Sequence, residues 1–220
     1  MSAIPVPYVG TGSQSQVQLG HYAVSQLSGA IAATPTALDV HARIRWAPTL
    51  TTAFCVLMRL KYGYHILTAV TAAVRQSYQA SIVRGFTVDF TTAITNINMG
   101  TKAKTNTMKG SMANSQMGAA GPGICTTAPL TGHTYTLDNA PFCFNSYSII
   151  TGTNATGTVV TTSLGMGSPA MTLYEWTGLG QHPVVLSNQE GVVVELTHTG
   201  HATGTLSEFS QWEWAEVFVF

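Results

Sequence analysis

Ala53 to Lys61 reads AFCVLMRLK, a near-continuous apolar run closed by a single turn signal at Tyr62-Gly63. Such a run is too short for an ordinary helix and suits a central strand buried on both faces. Upstream, His41 to Trp46 (HARIRW) alternates, with Ala42, Ile44 and Trp46 set against Arg43 and Arg45. Downstream, His65 to Ala73 (HILTAVTAA) carries Thr and Val, which favour a strand. Tyr78 to Phe90 (YQASIVRGFTVDF) is a long strand, and Gly85 in its middle predicts a bulge or bend. Short strand phrases with Gly, Thr and Asn between them then continue to the end, the last being Gln211 to Val219. This pattern predicts an all-β fold, a jelly-roll-like antiparallel β-sandwich, as a single domain over 41–220.

Two stretches stand apart from it. Residues 1–40 read as an extended N-terminal arm, because Pro5 and Pro7 enforce extended backbone. Within the arm, Tyr22 to Ala33 could hold a short helix with Val24, Leu27 and Ile31 on one face. Residues 101–123 read as a long loop, rich in small residues and carrying Met108, Met112 and Met117. Adaptable Met side chains suit plugging an interface or a core gap.

Composition narrows the function. Charged residues are only 8% of the 220 and the formal net charge is zero, so the surface is largely neutral and polar. A lone soluble domain usually carries about 25% charged residues and relies on net charge to stay apart from its copies. The shortage implies that neighbours cover much of this surface. The charges are also segregated. All nine Lys and Arg fall between Arg43 and Lys109, while seven acids and no Lys or Arg follow from Asp138. The halves can pair within one protomer or between neighbours, and the sequence leaves both open. Residues 1–42 hold no Lys or Arg, so no basic arm for packaged nucleic acid is present and direct nucleic-acid binding is not expected. No run of about 20 apolar residues occurs, so no membrane helix is expected. Three cysteines, Cys55, Cys125 and Cys143, without a C-x-x-C, predict free thiols over a disulfide framework.

Chemical motifs are sparse. Glu195, His198 and His201 are oxygen and nitrogen donors spaced three apart. On a helix they would share a face, but in a strand Glu195 and His198 point opposite ways, so a polar turn is the better reading than a metal site. Cys55 lies in the apolar run and reads as an inert buried thiol. No G-x-S-x-G is present, and Gly118 to Gly123 lacks the Lys-Ser/Thr of a phosphate loop. Trp212 and Trp214 flank Glu213, and in a strand both point one way. With Trp176 they are candidates for a sugar-stacking platform, but packing in a sandwich core is favoured. No enzyme activity, cofactor or metal is expected.

Leu173 to Leu196 (LYEWTGLGQHPVVLSNQEGVVVEL) and Gln211 to Phe220 (QWEWAEVFVF), with RIRWAP at Arg43 to Pro48 and VRGFTVDF at Val83 to Phe90, resemble virion structural proteins of tailed bacteriophages. The resemblance lies in strand phrases and carries over no catalytic residue. It implies a particle component made in the host cytoplasm, with a capsid decoration (cement) protein as the first reading. Its partners would be copies of itself, as a trimer for example, and other virion proteins such as the major capsid protein. Interface residues would be Ile4, Pro5, Val6, Pro7 and Tyr8 in the arm, with Met108, Met112 and Met117 in the loop. The alternative is a carbohydrate- or receptor-binding spike that uses Trp176, Trp212 or Trp214.

Overall fold

The computed structural model describes residues 20–32, 35–68, 74–96, 115–117, 121–149, 152–153, 159–160, 171–178, 182–200 and 203–218. The chain is all-β, with two antiparallel sheets packed face to face as in a β-sandwich. Its strands are β1 (Gly20–Leu27), β2 (Val40–Trp46), β3 (Phe54–Thr68), β4 (Val74–Val88), β5 (Ile94–Asn96), β6 (Gly123–Cys125), β7 (Thr134–Leu137), β8 (Cys143–Ile149), β9 (Gly152–Thr153), β10 (Val159–Val160), β11 (Met171–Glu175), β12 (Val184–Leu186), β13 (Glu190–Leu196) and β14 (Thr205–Val217). The first sheet runs β1–β14–β3, and β11 and β12 share the far side of β3. The second runs β5–β6–β2–β13–β4, and β7 and β8 share the far side of β4. β9 and β10 form a ribbon of their own. The main partnerships are nested: β1 with β14, β2 with β13, β3 with β11 and β12, and β4 with β7 and β8.

Alternation decides which residues enter the space between the sheets. From the second sheet, Ala42, Ile44 and Trp46 lie level with Val194, Val192 and Glu190 of β13, and the apolar ones are fully enclosed. From the first, Trp212 sits beside Leu60 of β3 and Val24 of β1, and Trp214 beside Leu57 and Tyr22. All of these are buried, and Tyr22 stacks on Trp214 at 5.5 Å between ring centres. Each large apolar side chain removed from water in this way contributes about 1.5–3 kcal/mol. The three core indoles are satisfied locally. Trp46 Nε1 donates to Ala53 O at 3.0 Å, Trp212 Nε1 to Ser210 Oγ at 3.2 Å, and Trp214 Nε1 to Glu216 Oε1 at 3.1 Å.

Several expectations are corrected. The arm does not extend to residue 40: Gly20–Leu27 is an edge strand, paired with β14 through all eight residues. The short helix that Tyr22 to Ala33 could have held does not form over Tyr22 to Leu27, because Tyr22 and Val24 alternate into the core and β14 supplies the backbone partners. Nor does Tyr62-Gly63 turn the chain, since β3 passes straight through it for 15 residues. The glycine has another use. A Cβ at Gly63 would lie 2.4 Å from the Phe209 ring, which covers the strand at that point. Gly85 does mark an irregularity, with φ +59° and a break in the β4–β7 register between Arg84 and Val88. All three cysteines are free thiols.

The segregated charges meet within the chain. Arg84 bonds Asp138 at 2.7 Å and Glu190 at 2.5 Å, and Arg59 bonds Glu213 at 2.6 Å. Arg43, fully buried, is held by Asp89, by Asn96 Oδ1 at 2.5 Å and by the Gly121 carbonyl. No helix among the described residues is long and apolar enough to cross a membrane.

Candidate functional site

Of the carboxylates buried in the sandwich, Glu208 gathers polar side chains from four other strands. Glu208 of β14 is 1% exposed. Its Oε2 accepts from Tyr62 Oη of β3 at 2.6 Å and from His41 Nδ1 of β2 at 2.8 Å. Its Oε1 accepts from Tyr78 Oη of β4 at 2.7 Å. Cys125 Sγ of β6 lies 3.6 Å from Oε2. An irregularity in the β2–β13 register brings His41 in. Ala42 pairs with Val194 and Val40 with Glu195, so His41 is the extra residue of a bulge and turns toward the core instead of away from it. The β14 backbone is also fixed here, since Glu208 N donates to Ser28 Oγ at 2.7 Å and Ser28 N to Glu208 O at 2.8 Å.

Burial and charge oppose each other at this site. Burial works against ionising Glu208, but His41 and the two tyrosine hydroxyls outweigh it and hold the carboxyl below its ordinary value. Burial likewise opposes protonation of His41, yet the adjacent carboxylate prevails and raises the imidazole. Tyr62 and Tyr78 are pushed well up, first by burial and then by the charge of Glu208. Cys125 is raised for the same two reasons. Both shifts favour the charged pair of Glu208 and His41, although His41 Nε2 finds no hydrogen-bond partner among the described residues.

This geometry does not make a nucleophile. In a Cys–His–carboxylate relay the imidazole stands between thiol and carboxylate. Here the carboxylate stands in the middle, His41 and Cys125 both face it, and burial keeps the thiol protonated. The cluster ties β2, β3, β4, β6 and β14 together across the sandwich.

A scan of protein-family models, a search of curated proteins and a search of solved structures each return no match.

The residues singled out in the sequence fare differently. Glu195 is buried, where Ser81 Oγ at 2.8 Å and Gln79 Nε2 at 3.2 Å donate to it. His198 is exposed beyond the end of β13, and His201 lies outside the described residues. Glu195 and His198 are thus not brought together as ligands, because one is buried within β13 and the other is exposed on the bend after it. Trp212 and Trp214 are fully buried, so neither can stack on a sugar, and the core reading of both holds. Trp176 is half-buried just after β11. Ile4, Pro5, Val6, Pro7, Tyr8, Met108 and Met112 lie outside the described residues. Met117 is 2% exposed and belongs to the core cluster. Its segment is docked by Glu216, which accepts from Ser115 Oγ at 2.5 Å and Gln116 N at 2.8 Å.

Sequence reasoning missed His41, Tyr62, Tyr78, Cys125 and Glu208 as a group. One signal was available: Glu208 shares the parity of Trp212 and Trp214 along β14, so an acid was due on the inner face.

Proposed function

We propose that this chain is a structural component of a viral particle, a capsid decoration protein in the first instance, acting through contacts with its own copies. The observation that carries the reading is where its polar chemistry lies. The richest cluster of ionisable groups among the described residues is sealed between the sheets and used as a brace, while the outer face of the first sheet carries an apolar strip. On that face Leu27 of β1 is level with Phe209 of β14 and Gly63 of β3, and His65 meets the Phe209 ring at 5.2 Å. Leu67 follows two residues along the same strand; it is 52% exposed and Leu27 is 62% exposed. Copies that cover this strip would bury apolar area, with Lys61 at its margin and the Glu213 ion pairs further along the same face. The sparse charge of the chain supports the same reading. The nested strand partnerships support a jelly-roll connectivity, which is common among capsid proteins.

Replacing both leucines, L27K with L67E, tests this reading by sedimentation velocity. The wild-type chain is expected to run as an oligomer and the double variant as a monomer with an unchanged melting temperature. A wild-type chain that stays monomeric at high micromolar concentration overturns self-association as its mode of action.

A further inference from the structure

Hydrogen bonding leaves one feature of the Glu208 cluster without an explanation. Cys125 reaches the carboxylate only at 3.6 Å, and a thiol is a weak donor where a hydroxyl would brace better. Imidazole, thiol and carboxylate are, however, three ligand types of a structural metal centre. His41, Cys125 and Glu208 each offer one ligand atom, and these atoms lie within 4.8 Å of one another.

We propose that His41, Cys125 and Glu208 hold one thiophilic divalent cation, zinc being the best fit.

Geometry allows it with a small opening. Bonds of about 2.0 Å to nitrogen or oxygen and 2.3 Å to sulfur place tetrahedral neighbours about 3.3–3.5 Å apart. Cys125 Sγ and Glu208 Oε2 already stand 3.6 Å apart. His41 Nδ1 and Glu208 Oε2, at 2.8 Å, need to part by about half an ångström. Tyr62 Oη, 2.6 Å from the same carboxylate oxygen, would have to part from it by about 0.7 Å to serve as a fourth ligand, and Tyr78 steadies the other carboxylate oxygen from outside the ligand set.

The charge balance favours a divalent ion. With a divalent cation the cluster holds a neutral imidazole, a thiolate, a carboxylate and two positive charges, which sum to zero, so the buried volume carries no net charge. A monovalent copper ion would leave one uncompensated negative charge in the core. Magnesium and calcium would find too few oxygens and two ligands they disfavour. This inference stands independently of the particle reading, since a brace between sheets serves any role of the fold.

The test uses the full chain, refolded with zinc and, separately, with cobalt(II), because the closed core admits no metal to the folded state. About one metal per chain is expected after dialysis. The cobalt form should show thiolate-to-metal charge-transfer absorption that is absent from C125S. Zinc should raise the melting temperature of the wild type and not of C125S, in which a hydroxyl still donates to Glu208. A metal content near zero in the refolded wild type overturns the proposal, and that result depends on no variant. So does a C125S chain that binds zinc and cobalt as the wild type does.

Discussion

Glu208 sits where an ordinary core would place a leucine. Removing water from a carboxylate costs several kcal/mol, and only a full set of donors offsets it. His41, Tyr62 and Tyr78 supply that set at 2.6–2.8 Å. The dependence runs both ways, because the donors are themselves buried and have been chosen for this acceptor. Glu208→Ala is therefore predicted to cost about 3–5 kcal/mol, the scale for breaking one partner out of a buried charged network. Tyr78→Phe removes a single donor and leaves Oε1 short of one bond, so about 1–3 kcal/mol is expected. Guanidinium denaturation measures both. If Glu208→Ala lies within about 1 kcal/mol of wild type, the cluster is incidental and the sheets are held by packing alone.

At the scale of the strand, β14 organises the first sheet on both of its faces. Inside it alternates Glu208, Ser210, Trp212, Trp214 and Glu216, so each indole has a polar neighbour two residues away. Outside, Glu213 spans three strands, reaching His21 of β1 at 3.0 Å and Arg59 of β3 at 2.6 Å. His21, 3.0 Å from the carboxylate, and the nearby Arg59 charge together exceed the opposing effect of burial, so this carboxyl titrates below its ordinary value of 4.5. A carboxyl held low in the folded state stabilises above the unfolded value and loses that contribution as pH falls through the folded one. Glu213→Gln should therefore melt with a shallower acid slope below about pH 4.5, the two proteins converging in strong acid. Arg59, at 31% exposure the most open member of the triad, limits the difference near neutrality to about 1 kcal/mol. Equal slopes would mean that the triad contributes nothing to the sheet. Much of this strand was legible from its period of two, which put both Trp residues on one side and Glu213 on the other. β1 was less so, because Val24, Leu27 and Ile31 also satisfy a helical spacing and the edge partner that decides the matter lies nearly 200 residues away in sequence. Tyr62-Gly63 misled for a related reason: the glycine answers to Phe209 across the sheet, a contact that no local pattern records. The Glu208 site was illegible for the same cause. Its five residues come from five strands, and the bulge that turns His41 inward breaks the very alternation used to assign faces.

For the molecule as a whole, the nested pairing means that the sandwich closes only when its first strand finds its last. Pairings of such long sequence separation carry a large loop-closure cost before they return any burial, so folding on a millisecond-to-second scale is expected. The two members of the closing pair are not equivalent. β14 is flanked on both sides and carries Glu208, Trp212 and Trp214, whereas β1 is an edge with β14 as its partner. Yet β1 brings Tyr22 and Val24, which close the core over both indoles. Two truncations separate the arm from the strand. A chain beginning at Gly20 keeps every β1 pairing and is predicted to melt as the full chain does. A chain beginning at Ser28 loses the Tyr22 stack on Trp214 and the whole β1–β14 ladder, so a loss of several kcal/mol is expected from two large buried side chains alone. Thermal melting followed by near-ultraviolet circular dichroism reads the tryptophan environment directly. If the chain beginning at Ser28 keeps the tryptophan signal and melting point of the chain beginning at Gly20, β1 is a dispensable cover and the core closes without it. If instead the chain beginning at Gly20 already collapses, residues before β1 belong to the fold itself, and the contacts of the arm would have to be sought within the protomer before any neighbour is invoked.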